Sequence, residues 1–557
     1  MIKLKSRPVV VVAIVALALG GHAGAARGDA GRAAPPVTGM NALVPQPVTV
    51  QPATGPGYPI TASTTIGVEA GSAPAEEIGI ELAGVLRRST GYALPVAATP
   101  GREAATADGI SLLLSGAGAE LGDEGYLLDV SAGGVVVRAN QPEGLFNGVQ
   151  TLRQLLPAAA DSTTVQPGPW PVPAGHIADH PRFPYRGAML DVARHFFPVA
   201  TVERYIDEIS RYKVNRLHLH LADDQGWRIA ITSWPQLATI GGSTAVGGGP
   251  GGYYTQADYR TIVDYARAHY VTIVPEIDGP GHTNAALASY PELNCTGTAP
   301  PLYTGTDVGF SSLCVSKEIT YTFLDNVLGE LAGLTPGPYL HIGGDEAQST
   351  KAKDYATFEG KELPLVAGSG KAAMAWHDIA AVTPPASTVL EYWGTATSEP
   401  KTAAAVARGN KVVLAPANKA YLDMKYSRKT KLGQHWAGYI EEQTAYDWNP
   451  GSYLSGVGES AVLGVEAPLW SETLVTLADL EFMAFPRLPA IAELGWSPAA
   501  THDWTSFRSR LGAQGPRWTV LGIGFFASAQ IPWTPGTRGG TFANATAASP
   551  SVGRIVF

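Results

Sequence analysis

Short apolar runs alternate with amphipathic helical patterns along most of the chain after residue 185. The runs are four to seven residues long, and stretches such as 200–212, 256–269 and 316–334 have the apolar spacing of a helix. Apolar runs of this length, bounded by turn residues, predict buried strands. The eight predicted strands cover residues 187–192, 216–221, 271–277, 339–342, 372–375, 388–392, 411–415 and 462–465.

Strands that alternate with helices favour a parallel sheet, and eight such units predict a (β/α)8, or TIM, barrel. The alternative is a doubly wound open sheet, which often carries a G-x-G-x-x-G turn after its first strand, and none follows the first run here. The glycine-rich stretch 241–252 lacks the Gly-Lys-Ser/Thr sequence of a phosphate-binding loop. We therefore predict an α/β protein whose main domain is a barrel.

The pattern before the barrel is different. Residues 125–131 and 134–138 predict two strands of a hairpin, and residues 74–88 and 143–156 predict amphipathic helices. These elements predict a small α+β domain that precedes the barrel. After Trp504 the sequence predicts one more short helix and an irregular tail.

The first 25 residues have the layout of a secretory signal peptide. Lys3, Lys5 and Arg7 precede an apolar run at 9–19, and the small residues at 23–25 could be a cleavage site. A membrane anchor needs about 20 apolar residues, so the run is too short to span. The predicted division is a signal peptide at 1–25, a flexible leader at 26–41, the α+β domain at 42–175, the barrel at 176–525 and a tail at 526–557.

Export changes the interpretation of the two cysteines. Cys295 and Cys314 could be buried thiols in the cytosol, but outside the cell a disulfide is favoured. The composition, 45% hydrophobic and 16% charged, is that of a globular protein. The net charge of −9 argues against a nucleic-acid partner. We expect a soluble, secreted, acidic protein.

Polar and aromatic side chains follow most of the predicted strands. In a barrel the carboxyl ends of all strands meet at one face, where the active site lies. Carboxylates together with tryptophans are typical of a sugar-binding cleft, because aromatic rings stack on pyranose faces and carboxylates bind hydroxyls or carry protons. A metal site is the alternative, but no H-E-x-x-H or similar ligand spacing occurs, so we expect no metal and no cofactor.

The adjacent acids Asp345 and Glu346 are the strongest chemical signal. Neighbours on a regular strand point to opposite faces, so these two can converge only where Gly343 and Gly344 break the strand. Adjacent side chains cannot easily span the ~5 Å between the acid and the nucleophile of an ordinary retaining glycosidase. One of them must have another role. The simpler alternative is that the pair satisfies free amides at a helix N-terminus.

Three long motifs resemble glycoside hydrolase family 20, the β-N-acetylhexosaminidases. They are Gly187 to His195 (GAMLDVARH), His218 to Arg228 (HLHLADDQGWR) and His341 to Glu346 (HIGGDE). The similarity extends over about residues 42–525 and includes Ala139 to Gln154. In this family the 2-acetamido oxygen of the substrate attacks the anomeric carbon, and an oxazolinium ion replaces the enzyme ester.

The resemblance implies a role for each site residue. It makes Glu346 the general acid and base, Asp345 the group that orients and stabilises the acetamido N–H, and Tyr421 a hydrogen-bond donor to the acetamido oxygen. His282, with Asp223 as partner, would tune the acid, and Asp224 is the alternative partner. The residues expected to bind the sugar are Arg194, Trp376, Trp393, Asp423, Trp436, Trp470 and Glu472.

The predicted function is an exo-acting, retaining β-N-acetylhexosaminidase whose partner is an oligosaccharide or glycoconjugate. A carbohydrate-binding protein on an inactive barrel should have lost the acid, and Glu346 is present. A chitinase-like endo-hydrolase should show a D-x-x-D-x-D-x-E run, which we do not find. Chitin oligomers, glycans and peptidoglycan fragments stay open as substrates, with glucosamine or galactosamine as the sugar.

Overall fold

The computed structural model describes residues 37–99 and 108–539, which form two larger sheets, one of them closed into a barrel. The predicted signal peptide, most of the predicted leader and the end of the predicted tail lie outside the described residues. Across the described ranges, no helix combines the length and the apolar composition needed to cross a bilayer.

The N-terminal α+β domain is built on a mixed seven-stranded sheet. In spatial order its strands are Thr49–Pro52, Gly175–Asp179, Tyr126–Ser131, Gly134–Ala139, Gly109–Leu113, Thr65–Glu69 and Val96–Thr99. The first four strands of this order pair antiparallel, and the remaining pairs are parallel. A separate antiparallel pair joins Tyr58–Ile60 to Trp170–Val172. The chain passes from the sheet to the barrel between Asp179 and Tyr185.

Two helices, Ala73–Thr90 and Pro142–Leu155, supply much of this domain's core. The first begins where the Ser72 hydroxyl accepts a hydrogen bond from the Ala75 amide, and it ends at Gly91, whose φ of 71° is left-handed. Both helices agree with the predicted ranges to within two residues, because strong apolar periodicity and end signals coincide there.

The predicted barrel is confirmed by the main domain. Eight parallel strands close on themselves, and Tyr185 of the first strand lies opposite Gly464 of the eighth. The strands are Tyr185–Asp191, Arg216–His220, Thr272–Glu276, Tyr339–His341, Ala372–Trp376, Val389–Tyr392, Lys411–Leu414 and Val462–Leu469. The α-helices of this domain are Val199–Ser210, Gln256–Ala268, Asn284–Ser289, Glu318–Leu334, Ala352–Gly368, Pro400–Ala407, Glu442–Tyr446, Leu477–Ala484, Arg487–Trp496 and Trp504–Leu521.

The last helix corrects the sequence prediction. The expected short helix after Trp504 is 18 residues long and contains Pro516. Relative to alanine, a glycine inside a helix costs about 1 kcal/mol and a proline about 3 kcal/mol. The segment therefore has a low intrinsic helix propensity. Tertiary packing overrides that cost, since Phe507, Leu511 and Trp518 are completely buried in the barrel's hydrophobic core.

One region of the barrel interior is ionisable where aliphatic side chains usually pack. His218, His341, Glu391 and Glu466 come from the second, fourth, sixth and eighth strands, and all four are buried. In most such barrels alternate strands supply layers of branched apolar residues. His218 lies between two carboxylates, with Nδ1 2.9 Å from Glu466 Oε1 and Nε2 3.0 Å from Glu276 Oε2. Buried ionisable groups are costly unless they are paired. These residues therefore form a polar layer of paired side chains in the barrel interior, in place of the usual apolar layer.

Candidate active site

The loop after the fourth barrel strand turns two neighbouring carboxylates toward the same space. The strand ends at His341, and Gly343 and Gly344 have φ values of 67° and 94°. A side chain at Gly343 would also collide with Asp278 Oδ1, which accepts a hydrogen bond from the Gly344 amide at 3.0 Å. Glu346 is itself left-handed, with φ of 45°. A non-glycine residue in that region costs about 1–3 kcal/mol, which is typical of functional sites.

Asp345 and Glu346 converge on one imidazole nitrogen. His282 Nε2 lies 3.8 Å from Asp345 Oδ2 and 3.6 Å from Glu346 Oε2. Its other nitrogen, Nδ1, lies 3.2 Å from Asp223 Oδ1. The predicted strand break, the convergence of the two acids and the contact with His282 are therefore all present in the fold. His282 is also left-handed, with φ of 54°, so two strained residues face each other.

The charges around the acids shift the pKa values of Asp345 and His282. Burial raises the pKa of Asp345 to about 7, the His282 imidazolium opposes that rise, and Glu346 adds to it. Burial alone would lower the pKa of His282, but the carboxylates of Asp223, Asp345 and Asp278 hold it well above its usual value. The raised pKa favours the imidazolium form of His282, whose ring lies between Asp223 and the two acids.

A second group of charges lies at the ends of the first and last strands. Arg194 forms an ion pair with Asp223, with Nη2 2.7 Å from Oδ2, and its guanidinium lies 4.9 Å from the Trp470 ring centroid. Burial raises the pKa of Glu472, while the Arg194 charge opposes that rise. Among the described residues, Glu472 Oε2 and Asp423 Oδ1 are buried without a hydrogen-bond partner. Such acceptors are costly unless a ligand donates to them.

The predicted aromatic residues form one continuous wall. Trp470 lies between Trp376 and Tyr421, at ring-centroid distances of 5.9 and 6.2 Å. Trp436 lies 6.0 Å from both Tyr421 and Trp393. Trp376 is buried and Trp436 is 57% exposed, so the wall runs from the barrel interior to the surface. Burial raises the pKa of Tyr421 well above its usual value, which keeps its hydroxyl a donor.

Asp224 does not join His282 through a hydrogen bond. Its Oδ1 accepts from the Asn284 amide at 2.9 Å and from the Ser311 hydroxyl at 2.5 Å. The tight hairpin of Ala222–Asp223 with Gly226–Trp227 turns the two neighbouring acids in different directions. Asp223 thus contacts His282 and Arg194, whereas Asp224 supports the loop after the third strand.

Glu276 is a site residue to which the sequence analysis gave no role, although it lies near the end of the predicted strand 271–277. Its Oε1 accepts from Trp376 Nε1 at 2.9 Å, and its Oε2 contacts both His218 and His220. His220 Nε2 reaches Asp223 Oδ2 at 2.9 Å. Glu276 thereby connects the aromatic wall to the groups behind the acids. The sequence signal was its position in the Pro275-Glu276-Ile-Asp278 segment at the end of the third strand.

Asp378 and Arg487 also support the site, and sequence reasoning assigned neither. Asp378 accepts from Trp393 Nε1 at 3.0 Å. Arg487 is buried and donates to the carbonyls of Leu422, Met424, Ile440 and Met483. It therefore fixes the segment that carries Tyr421, Asp423 and Trp436. Arg487 lies on a later helix, so only the folded chain reveals the contact.

Several buried donor groups have the spacing of metal ligands. The four groups are His218, His341 and Glu391; His220, Glu276 and Asp278; Asp223, Asp224 and His282; and Asp278, His282 and Asp345. Most of these donors bind one another or neighbouring side chains, as the contacts of His218, His220 and Asp223 show. The arrangement is that of a hydrogen-bonded carboxylate and imidazole network, which the residues can form without an ion.

Comparisons with known proteins agree with this geometry. The catalytic-domain profile of glycosyl hydrolase family 20 matches residues 183–499, and the profile of domain 2 of that family matches residues 40–180. A β-N-acetylhexosaminidase from Cellulomonas fimi is 40% identical over 501 residues, which cover 90% of this chain and 99% of the relative.

Solved structures give the same result. The family 20 β-N-acetylhexosaminidase of Streptomyces coelicolor A3(2) superposes with a TM-score of 0.86 and is 54% identical, over 90% of this chain and all of that one. A mutant Streptomyces plicatus β-hexosaminidase in complex with the product GlcNAc has the same TM-score and 55% identity, over 89% of this chain and 98% of that one. The chain is a glycoside hydrolase, and it belongs to glycosyl hydrolase family 20.

Proposed function

We propose that the protein is an exo-acting, retaining β-N-acetylhexosaminidase that uses substrate-assisted catalysis. The observation that carries the proposal is the position of Asp345 and Glu346, which both lie within 4 Å of His282 Nε2. The two carboxylates lie side by side next to one imidazole nitrogen. The acid and the nucleophile of an ordinary retaining glycosidase must instead lie on either side of the glycosidic bond. A nucleophile within the substrate resolves this conflict, and the acetamido oxygen is the group available.

Glu346 acts as the general acid and then as the general base. Its side chain is 29% exposed, so a leaving group can reach it, and the His282 nitrogen lies behind it at 3.6 Å. Protonation of the leaving oxygen by a positioned acid contributes about 10²–10⁴-fold to the rate. The same carboxylate then removes a proton from the water that opens the oxazolinium ion.

Asp345 receives the acetamido N–H and balances the positive charge that develops during ring closure. Burial strengthens that electrostatic interaction, because water cannot screen it. Tyr421, as a protonated donor, holds the acetamido oxygen in line with the anomeric carbon. Trp376 and Trp470 enclose the acetyl methyl group, and Trp393 continues the wall.

Arg194, Asp423 and Glu472 bind the hydroxyls of the terminal sugar. Two of these residues supply the buried, unpartnered acceptors described above, which sugar hydroxyls would satisfy. Exo action would follow if these charged groups close the inner end of the site. Trp436, at the exposed end of the wall, contacts the sugar that leaves.

Different observations support the substrate class and the secretion of the protein. The relatives are named β-N-acetylhexosaminidases, and one holds GlcNAc, which supports terminal β-linked N-acetylglucosamine or N-acetylgalactosamine as the substrate. Cys295 and Cys314 form a disulfide, which is typical of exported proteins. Together with the predicted signal peptide at 1–25, this bond supports secretion.

Fluorination of the acetyl methyl group tests the mechanism. Aryl β-N-acetylglucosaminides with mono-, di- and trifluoroacetyl groups should react progressively more slowly, because fluorine withdraws electrons from the attacking oxygen. The leaving group is kept constant, and inhibition constants of the same series against a common substrate separate affinity from rate. A rate that does not change with fluorination, or an ester trapped on any Asp or Glu, would overturn the mechanism while the family assignment stands.

A further inference from the structure

The helix that follows the fourth barrel strand, Ala352–Gly368, turns polar side chains toward the protein interior. Its buried residues include Tyr355, Phe358, Glu359 and Glu362, which have the spacing of one helix face. The inward face of such a helix usually carries apolar side chains, and a buried polar group is costly unless it has a partner. Three polar residues on this face therefore call for an explanation other than packing, and for Tyr355 the structure supplies one.

The Tyr355 hydroxyl reaches the backbone of the loop that carries the two acids. It donates a hydrogen bond to the Gly344 carbonyl over 2.8 Å, and both groups are buried. Gly344 is the residue immediately before Asp345, so its carbonyl belongs to the planar peptide unit that leads into Asp345. A hydrogen bond to that carbonyl restrains the plane of the peptide, and with it the direction in which the Asp345 side chain leaves the backbone.

The two glycines of this loop depend on neighbouring side chains for a fixed conformation. Both are left-handed, and a glycine has access to more backbone conformations than any other residue. The Gly343 amide donates to His341 Nδ1 at 3.1 Å, and the Gly344 amide donates to Asp278 Oδ1 at 3.0 Å. These contacts hold the amide side of the turn. Tyr355 holds its carbonyl side, so that Gly344 is restrained on both sides.

The surroundings of the hydroxyl keep its proton directed at the loop. Burial and the nearby Glu359 raise the pKa of Tyr355 far above its usual value, so the hydroxyl stays protonated. Glu359 is the competing acceptor, since its Oε1 lies 3.6 Å from the point where a side chain on Gly344 would begin. Burial raises the pKa of Glu359 as well, and a neutral carboxyl attracts the proton less than a carboxylate would. The Gly344 carbonyl is therefore the favoured acceptor.

We propose that Tyr355 is a positioning residue for catalysis, which fixes the peptide between Gly344 and Asp345 and so holds the Asp345 carboxylate against the acetamido group of the substrate. The inference rests on the proposed role of Asp345. Tyr355 is bonded to the backbone of the loop, so it acts through Asp345 and not on the sugar. Such support matters because a misplacement of about 1 Å in a catalytic group can cost about 10²-fold in rate.

Tyr355→Phe removes the hydroxyl and keeps the ring. We expect kcat to fall by about 10–100-fold and KM to rise less, because the Asp345 charge is needed most when the oxazolinium ion develops. Tyr321→Phe is the matched control. Tyr321 and Tyr355 are each 8% exposed, and the Tyr321 hydroxyl donates to the Val315 carbonyl over 2.7 Å, outside the loop of the acids. The control should lose a similar amount of stability in urea denaturation and keep its kcat.

A double-mutant cycle separates the positioning of Asp345 from a general loss of order. In the Asp345→Asn background, Tyr355→Phe should lower kcat far less than in the wild type, because the carboxylate that it positions is gone. Equal losses in the two backgrounds, or a kcat of Tyr355→Phe equal to that of Tyr321→Phe, would refute the role of Tyr355. If the wild type still slows on fluorinated substrates, the mechanism stands without this inference. A wild type that is indifferent to fluorination would overturn both.

A crystal structure of the wild-type chain with GlcNAc bound gives an answer that does not need a folded variant. Asp345 should accept a hydrogen bond from the acetamido N–H while Tyr355 Oη stays within hydrogen-bond distance of the Gly344 carbonyl oxygen. Both contacts in one complex would support the proposal. A Gly344 carbonyl that is turned away from Tyr355 when the sugar is bound would overturn it.

Discussion

Trp376 donates its indole Nε1–H to the buried carboxylate of Glu276 over 2.9 Å. The same carboxylate contacts His220, which in turn reaches Asp223 behind the acids. Glu276 thus connects the aromatic wall with the charged network. We expect the wall to hold the acetyl group and the network to tune the acid. Changes in that side chain should affect both functions together.

Glu276→Gln tests this connection. The surrounding histidines hold the pKa of Glu276 well below its usual value against the effect of burial, so the amide removes a real charge. We expect a loss of about 3–5 kcal/mol of stability and a lower kcat with an altered pH profile. Glu359→Gln is the control, because burial raises the pKa of Glu359 and an amide resembles its neutral form. Equal effects of both variants on the pH profile would contradict the role of Glu276.

Glu346→Gln should keep the fold and sugar binding but lose turnover. The expected loss is about 10²–10⁴-fold on substrates with poor leaving groups, because the leaving oxygen is no longer protonated. Aryl glycosides with very acidic leaving groups should lose much less. Glu318→Gln, at a side chain that is 85% exposed, is the matched control. A loss that is independent of the leaving group would count against Glu346 as the acid.

Asp345→Asn should lower activity and raise stability at alkaline pH. The pKa of Asp345 is about 7 in the folded protein, above the ordinary value of about 4, so the folded state binds the proton more tightly. The wild type therefore loses stability as pH rises from about 4 to about 7, and the full cost is present above that range.

Asparagine does not ionise and avoids this cost. Denaturation should show the variant about 2–4 kcal/mol more stable near pH 8 and no different near pH 4. Its kcat should fall more than its KM rises, since the charge is needed most when the oxazolinium ion develops. A stability difference that is the same at both pH values would refute the raised pKa.

Loss of the Cys295–Cys314 disulfide should affect both stability and substrate binding. The bond closes a loop with a sequence separation of 19, which corresponds to about 3 kcal/mol in the chain-entropy model. Within the loop, the Gly305 carbonyl accepts from Gln225 Nε2 at 3.0 Å, and Gln225 Oε1 accepts from Arg194 Nε at 3.2 Å.

A double Cys→Ser variant should therefore melt earlier and have a higher KM. Titration of the denatured, unreduced wild type should find no free thiol. The variant should not respond to a reducing agent, whereas the wild type should lose stability when it is reduced. Two titratable thiols in the wild type would contradict the bond.

The two ends of the aromatic wall should respond differently to truncation. Trp436 is 57% exposed, so Trp436→Ala should leave stability almost unchanged and raise KM for oligosaccharides. Trp376 is 1% exposed, so Trp376→Ala should cost about 3–5 kcal/mol. Urea denaturation and kinetics on disaccharide and aryl substrates distinguish these outcomes. Similar stability losses in both variants would contradict the exposure of Trp436.

The order of the elements and the residue types at their ends could be read from the sequence alone. Eight apolar runs of strand length, separated by helical patterns, were sufficient for the barrel, because periodicity is a local property of the chain. Gly343 and Gly344 also predicted the break in the strand before Asp345, because a left-handed backbone favours glycine. The motifs that resemble the family then suggested which of the polar strand ends form the site.

Which of those residues contact one another depends on the folded chain. Glu276 with Trp376, and Arg487 with the segment at Leu422, are separated by 100 and 65 positions, and no local pattern encodes such pairs. Barrel closure and domain contact create these neighbourhoods, because burial makes each polar group depend on whichever partner the rest of the fold brings within reach.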